Sequence, residues 1–260
     1  MDKATERLHH TTPEGAEGAG APHAHPHGGA PGRVEVDVHE NLMAANDRYA
    51  QDIRTLLAGH GVFCINLLSS PGSGKTALLE TTLARLGQEL RVAVIEGDIE
   101  TSMDAERLAP FGIPVVQINT GPFGGDCHLP APLVAGAVAK LDLCELDVLV
   151  IENVGNLVCP AEFDIGEDAK VVLLSVTEGE DKPLKYPLVF HEASLALVSK
   201  VDLLPYLDVN LDLIRENVRR ANPGLAVLPI SARTGEGLGE WLGWLRSCVE
   251  SKSASAAPSS

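Results

Sequence analysis

Residues 69–76, SSPGSGKT, put two glycines, a lysine and a threonine into one short turn. Such a turn can fold backbone N–H groups around phosphate oxygens, while the lysine reaches the β- and γ-phosphates and the hydroxyl binds Mg²⁺. Pro71, Gly72, Ser73, Gly74, Lys75, Thr76 and Ala77 are the expected phosphate-holding run, although Ser69 stands where the usual pattern begins with glycine. The bland alternative is a Gly-rich turn with a surface lysine. Two acidic stretches argue against it. LVIENVG (149–155) ends an apolar run in an acid followed by a glycine, so Glu152 is expected to hold the Mg²⁺ shell and the Gly155 N–H to face the γ-phosphate. EGDIETSMD (96–104) supplies Asp98 to sense Mg²⁺ or orient the attacking water. The expected catalytic set is Lys75, Asp98, Glu152 and Gly155, with Thr76, Asp98 and Glu152 around Mg²⁺. Each acid alone reads as a solvated strand end; together, at the carboxyl ends of neighbouring strands, they lie where such sheets bind ligands.

VSKVDLL (198–204) has the form of a guanine-reading loop. A carboxylate at Asp202 can accept two hydrogen bonds from the guanine edge, a pair that adenine lacks. Lys200 is expected to pack its stem over the base, and Ser231, Ala232 and Arg233 to form the companion loop. Ser199 replaces the usual asparagine before that lysine, which puts base affinity or loop tethering in question.

GDCHLP (125–130) sets Cys127 beside His128 in a Gly/Pro-rich loop, and Cys159 follows in GNLVCPAEF. Thiolate and imidazole together suit Ni²⁺ or Zn²⁺ rather than Mg²⁺ or Ca²⁺. Three ligands leave the shell open, which suits a metal that is handed on. A nucleophilic or redox-labile Cys127 is the alternative. Cys64, Cys144 and Cys248 read as core or near-core packing.

These loops need a rigid frame. Apolar runs at 62–68, 92–97, 115–119, 147–153, 171–177, 195–200 and 226–231 are apolar nearly throughout, as in strands buried on both faces. Amphipathic segments alternate with them, which predicts an α/β P-loop fold: a mostly parallel sheet with helices on both faces and a helical N-terminal extension. That extension spans 35–58, with Leu42, Ala45, Tyr49, Ile53 and Leu56 inward and Gly59 and Gly61 as its stop. A helix stripe of Leu79, Leu83, Leu86 and Leu90 follows the phosphate turn, and a last helix at about 238–249 carries Trp241, Trp244 and Leu245. The expected domain runs 34–250, between a disordered tail at 1–33 and an unstructured Ser/Ala tail at 251–260. His23, His25 and His27 in the first tail are either a loose metal trap or incidental to a linker.

The net charge of −16, from 36 acidic and 20 basic residues, argues against a nucleic-acid surface or an anionic-membrane anchor. No apolar run is long enough to span a bilayer, and no signal peptide is apparent. Five cysteines without a secreted-disulfide spacing point to a reducing, cytoplasmic setting.

Taken in order, NLLSSPGSGKTALLE, EGDIETSMDAERL, INTG…CHL, IENVGNLVCPAEFD, TEGEDKPLKYP, KVDLLPY and SARTGEGLGEW resemble the HypB family over about residues 34–246. The resemblance implies a GTPase of the SIMIBI class that dimerises with bound nucleotide and inserts nickel during [NiFe]-hydrogenase maturation. It implies a metal site at the dimer interface from Cys127, His128 and Cys159, and a nucleotide contact across the dimer from Lys182 or Lys185. The partners it implies are a HypA-like nickel chaperone and the hydrogenase large-subunit precursor. The family's N-terminal Cys-x-x-Cys-Gly-Cys motif is missing here, since residues 1–33 hold no cysteine. GTP binding is expected to order the loops at Asp98 and Gly155, and hydrolysis to release the metal, slowly for want of an evident arginine finger. The competing readings are a urease-type nickel GTPase resembling UreG, a passive nickel store with a structural P-loop, and a P-loop kinase.

Overall fold

The structure, a computed structural model, describes residues 34–86, 89–98, 103–120 and 128–256. Residues 1–33 with their histidines, and Cys127, lie outside these. The chain begins with α1 (Val34–Gly59), β1 (Phe63–Ser69), α2 (Lys75–Leu86), β2 (Val92–Asp98), α3 (Met103–Leu108), β3 (Val115–Asn119), α4 (Ala131–Val138) and β4 (Val148–Glu152). It continues with α5 (Cys159–Glu162), β5 (Ala169–Ser175), α6 (Lys182–Lys185), α7 (Pro187–Glu192), β6 (Leu195–Ser199), α8 (Leu211–Ala221), β7 (Val227–Pro229) and α9 (Leu238–Ala256).

The seven strands form one parallel sheet in the order β3-β2-β4-β1-β5-β6-β7. Every residue of β1 is buried, because helices cover both faces. Phe63, Ile65 and Leu67 point into a core shared with α2 and α9, while Cys64 and Leu68 point to the opposite face, toward α1 and α4 and toward α7 and α8 respectively. β1 is central, and chain order reverses on either side of it, so the loop leaving its carboxyl end opens into a crevice. Asn66, at the middle of β1, is a fully buried polar residue among these apolar neighbours.

Three sequence expectations need correction. The buried stripe of α1 is Asn46, Ala50, Ile53 and Leu57; Tyr49 and Leu56 are 46% and 45% exposed. The Ser/Ala tail is helical as far as Ala256, since α9 continues and Lys252 Nζ meets Asp168 Oδ1 at 2.5 Å. Cys144 is exposed in a 3₁₀ turn at 143–145, whereas Cys64 is buried and Cys248 partly so. Trp241 and Trp244 stack at 5.5 Å, and the Trp241 indole donates to Thr82 Oγ1 on α2 at 2.9 Å.

Candidate functional site

The turn at 69–74 leads from β1 straight into α2, whose first residue is Lys75. Gly72 and Gly74 hold φ of 73° and 98°, in the left-handed region where a side chain is strained. Ser69 does not, which explains why a serine serves there. Its buried hydroxyl accepts from Lys75 Nζ at 2.9 Å and donates to the Ser70 carbonyl. Thr76 Oγ1 donates to Glu152 Oε1 at 3.2 Å, both side chains being buried. Gly155 is a close approach: a Cβ there would stand 2.9 Å from Pro71 Cγ. Asp98 ends β2 opposite Asn119 in the ladder, at the same edge of the sheet.

The phosphate turn and the ends of β2 and β4 border a cavity of about 550 Å³ lined by Lys75, Thr76, Glu96, Glu152, Gly155 and Lys200, among others. Arg107 also lines it, and its guanidinium grips Glu80 at 2.6 and 2.9 Å. Sequence reasoning passed over this arginine because it lies on a helix rather than in a motif. A neighbouring cavity of about 280 Å³ shares Gly74, Ala77 and Lys200 with the first and is lined further by Asp202, Ala232 and Arg233. Asp202 Oδ1 accepts from Ser231 Oγ at 2.6 Å. Lys200 has φ 61° and donates from Nζ to the Gly72 carbonyl at 2.6 Å. The serine that replaces asparagine acts as a tether: Ser199 Oγ donates to the Ser73 carbonyl at 2.7 Å. Ser73 Oγ in turn donates to Glu178 Oε1 at 2.6 Å.

At the same edge, His128 stacks on Phe163 with ring centroids 3.8 Å apart. Phe163 lies just beyond α5, which begins at Cys159. Cys159 is disulfide-bonded. Its sulfur also accepts from Asn156 Nδ2 at 3.7 Å. Among the described residues, no group of three His, Cys, Asp or Glu stands ready to hold a metal ion. Leu129, next to His128, is fully buried and donates its N–H to Asn153 Oδ1 at 3.3 Å. Neither Asn153 nor Leu129 was singled out from sequence. No helix of the described residues is long and apolar enough to cross a membrane.

A central strand, a glycine turn with two left-handed residues, a helix opening on lysine and threonine, and an acid across from that threonine define a P-loop nucleotide-binding domain. The family described as CobW/HypB/UreG, nucleotide-binding domain, matches residues 63–229. The hydrogenase maturation factor HypB of Azotobacter vinelandii is 51% identical over 228 residues, 88% of this chain and 74% of that one. Two solved structures align closely. HypB of Archaeoglobus fulgidus is 36% identical with a TM-score of 0.74, covering 79% of this chain and 99% of that one. HypB of Helicobacter pylori in complex with nickel is 34% identical with a TM-score of 0.75, covering 83% and 99%. The chain belongs to the HypB family of hydrogenase maturation factors.

Proposed function

We propose that this chain binds GTP and hydrolyses it to GDP and phosphate, and that this cycle governs delivery of nickel during [NiFe]-hydrogenase maturation. The observation that carries the reading is the pair of joined cavities, one at the phosphate turn and one at Asp202. Asp202, oriented by the Ser231 hydroxyl, is suited to accept from a guanine edge. Lys200 lies between the cavities with Ala77, where its stem can cover a base, and Ala232 and Arg233 close the far side. Pro71, Gly72, Ser73 and Gly74 shape the turn that receives the phosphates, and the positive end of α2 favours them.

Thr76 and Glu152, already in contact, form an oxygen donor set of the kind Mg²⁺ takes. Mg²⁺ bound there neutralises phosphate charge. Lys75 reaches the β- and γ-phosphates, Asp98 orients the attacking water and the Gly155 N–H faces the γ-phosphate. The chain acts as a homodimer with nucleotide bound, with Lys182 or Lys185 near the partner's nucleotide. Exposed Leu184 and Leu188 on the adjacent helices α6 and α7 support such a contact.

Nickel is the cargo, held by Cys127, His128 and Cys159, with Zn²⁺ as the competing ion. Stacking on Phe163 steadies the imidazole beside the turn that carries Cys159. Ligation requires that thiol in reduced form, since the thiolate is the ligand. A HypA-like nickel chaperone and the hydrogenase large-subunit precursor are the partners, in the cytoplasm. The experiment is paired: GTP against ATP hydrolysis, and nickel titration under reductant with GDP and with a non-hydrolysable GTP analogue, for the chain and its Cys127→Ala variant. Faster GTP turnover, and nickel binding that depends on nucleotide and on Cys127, are expected. Equal turnover of ATP refutes the base assignment, and equal nickel affinity in both states refutes the coupling.

A further inference from the structure

Two neighbours of the phosphate cavity converge on one residue. Leu129 is fully buried, and its side chain rests on Gly97 so closely that a Cβ there would stand 2.7 Å from Leu129 Cδ1. Gly97 lies between Glu96 and Asp98 at the end of β2. The Leu129 backbone is held from the other side, by the hydrogen bond from its N–H to Asn153 Oδ1. Asn153 directly follows Glu152 at the end of β4, and the same Oδ1 accepts from the Val154 N–H at 2.9 Å. Leu129 is therefore gripped between the two strand ends that flank the phosphate cavity, one residue from His128.

The grip has a fixed orientation. Asn153 is 1% exposed, and its Nδ2 donates to Asn66 Oδ1 at 3.1 Å. Asn66 Nδ2 then donates to Glu167 Oε1 at 3.2 Å, and Glu167 Oε2 accepts from the Ile165 N–H at 2.8 Å. A carboxylate oxygen must face an N–H, so the Asn66 amide has one sense, and that sets the sense of Asn153. With its amide locked, Asn153 cannot rotate to follow Leu129. A shift of either strand end must carry Leu129 along or break the 3.3 Å bond.

We propose that Asn153 and Leu129 are a positioning pair that transmits nucleotide state from the ends of β2 and β4 to the loop bearing His128. The inference rests on the nickel and GTP function proposed above. Its test is Ni²⁺ titration of the full chain under reductant, with GDP and with a non-hydrolysable GTP analogue. The readout is the ratio of the two nickel affinities. Asn153→Ala is expected to lower that ratio about tenfold toward unity, while analogue affinity and GDP-state nickel affinity stay within about threefold. A merely structural amide would lower the melting temperature and leave the ratio intact. Should Asn153→Ala unfold at the assay temperature, Leu129→Ala carries the same test, with volume-conserving Leu129→Met expected to keep the ratio. A wild-type chain with a ratio of one overturns the coupled function and the pair together. A coupled wild type whose folded variants keep their ratio overturns the pair alone.

Discussion

Gly97→Ala tests the packing beneath the phosphate cavity. The new methyl would lie 2.7, 2.8 and 2.9 Å from three carbons of Leu129. Carbon atoms pack best at about 3.5–4.0 Å, so the overlap is roughly 0.8 Å with each. Leu129 is 0% exposed and has no open side to move toward. Overpacking of this kind costs about 1–3 kcal/mol, offset by about 0.5–1 kcal/mol because alanine loses less backbone entropy than glycine in a strand. The net expectation is a loss of about 1–2 kcal/mol, read as a melting temperature lower by roughly 3–6 °C. Thermal denaturation followed by circular dichroism measures it. Leu129→Ala in the same chain makes room, so a double-mutant cycle is expected to show a coupling of about 1 kcal/mol or more. An unchanged or raised melting temperature in Gly97→Ala, or strict additivity in the cycle, refutes the claim that Leu129 is seated on Gly97.

Asp202→Asn removes the carboxylate and is expected to weaken GTP binding at least ~10-fold while leaving ATP binding unchanged, as read by fluorescent-nucleotide competition; equal losses for both nucleotides refute the base assignment. Ser199→Ala deletes the tether to the Ser73 carbonyl, worth about 1 kcal/mol, so nucleotide affinity is expected to fall roughly fivefold. Unchanged affinity means the asparagine-to-serine exchange has no tethering role. Acid should loosen α1. Burial is the largest single influence and would raise the Asp164 pKa, but the Arg54 hydrogen bonds and charge, together with the Gly166 N–H and a contact with Glu167, outweigh it and hold the carboxyl below its ordinary 3.8. A depressed acid gives stability that is present above 3.8 and lost as pH falls through the folded value. The melting temperature is expected to drop below that pH, and less so in Arg54→Met; identical pH profiles for the two refute the role of the pair.

The frame was legible because the central strands are apolar nearly throughout, Asn66 in β1 apart, and the edge strands β3 and β7, though only partly buried, carry short apolar runs of their own. β3 was expected at its observed bounds, and the other strands within a residue or two. The phosphate turn was legible because left-handed φ at Gly72 and Gly74 needs glycine, which leaves a mark in the letters. What escaped depends on contacts distant in sequence. Asn46 sits in the buried stripe of α1 because its amide donates to the Asp164 carbonyl and accepts from the Ala131 N–H, so a search for apolar periodicity shifts to Tyr49 and Leu56 instead. The end of α9 carries no apolar period, and its anchor is the pairing of Lys252 with Asp168. The buried amides of Asn66, in mid-strand, and Asn153, just past a strand end, carry no sign in the letters that they are partners until the sheet brings them together.

Both tryptophans of the chain sit on α9, stacked on each other, and one holds a hydroxyl of the helix that starts at the phosphate turn. Indole emission responds to hydrogen bonding and to a stacked neighbour. Thr82 is six residues from Thr76 on the same helix, so a displacement of α2 changes the surroundings of Trp241 directly. The protein thus carries its own optical reporter of the nucleotide site, in the core on the opposite face of the sheet from Leu129, and needs no added label.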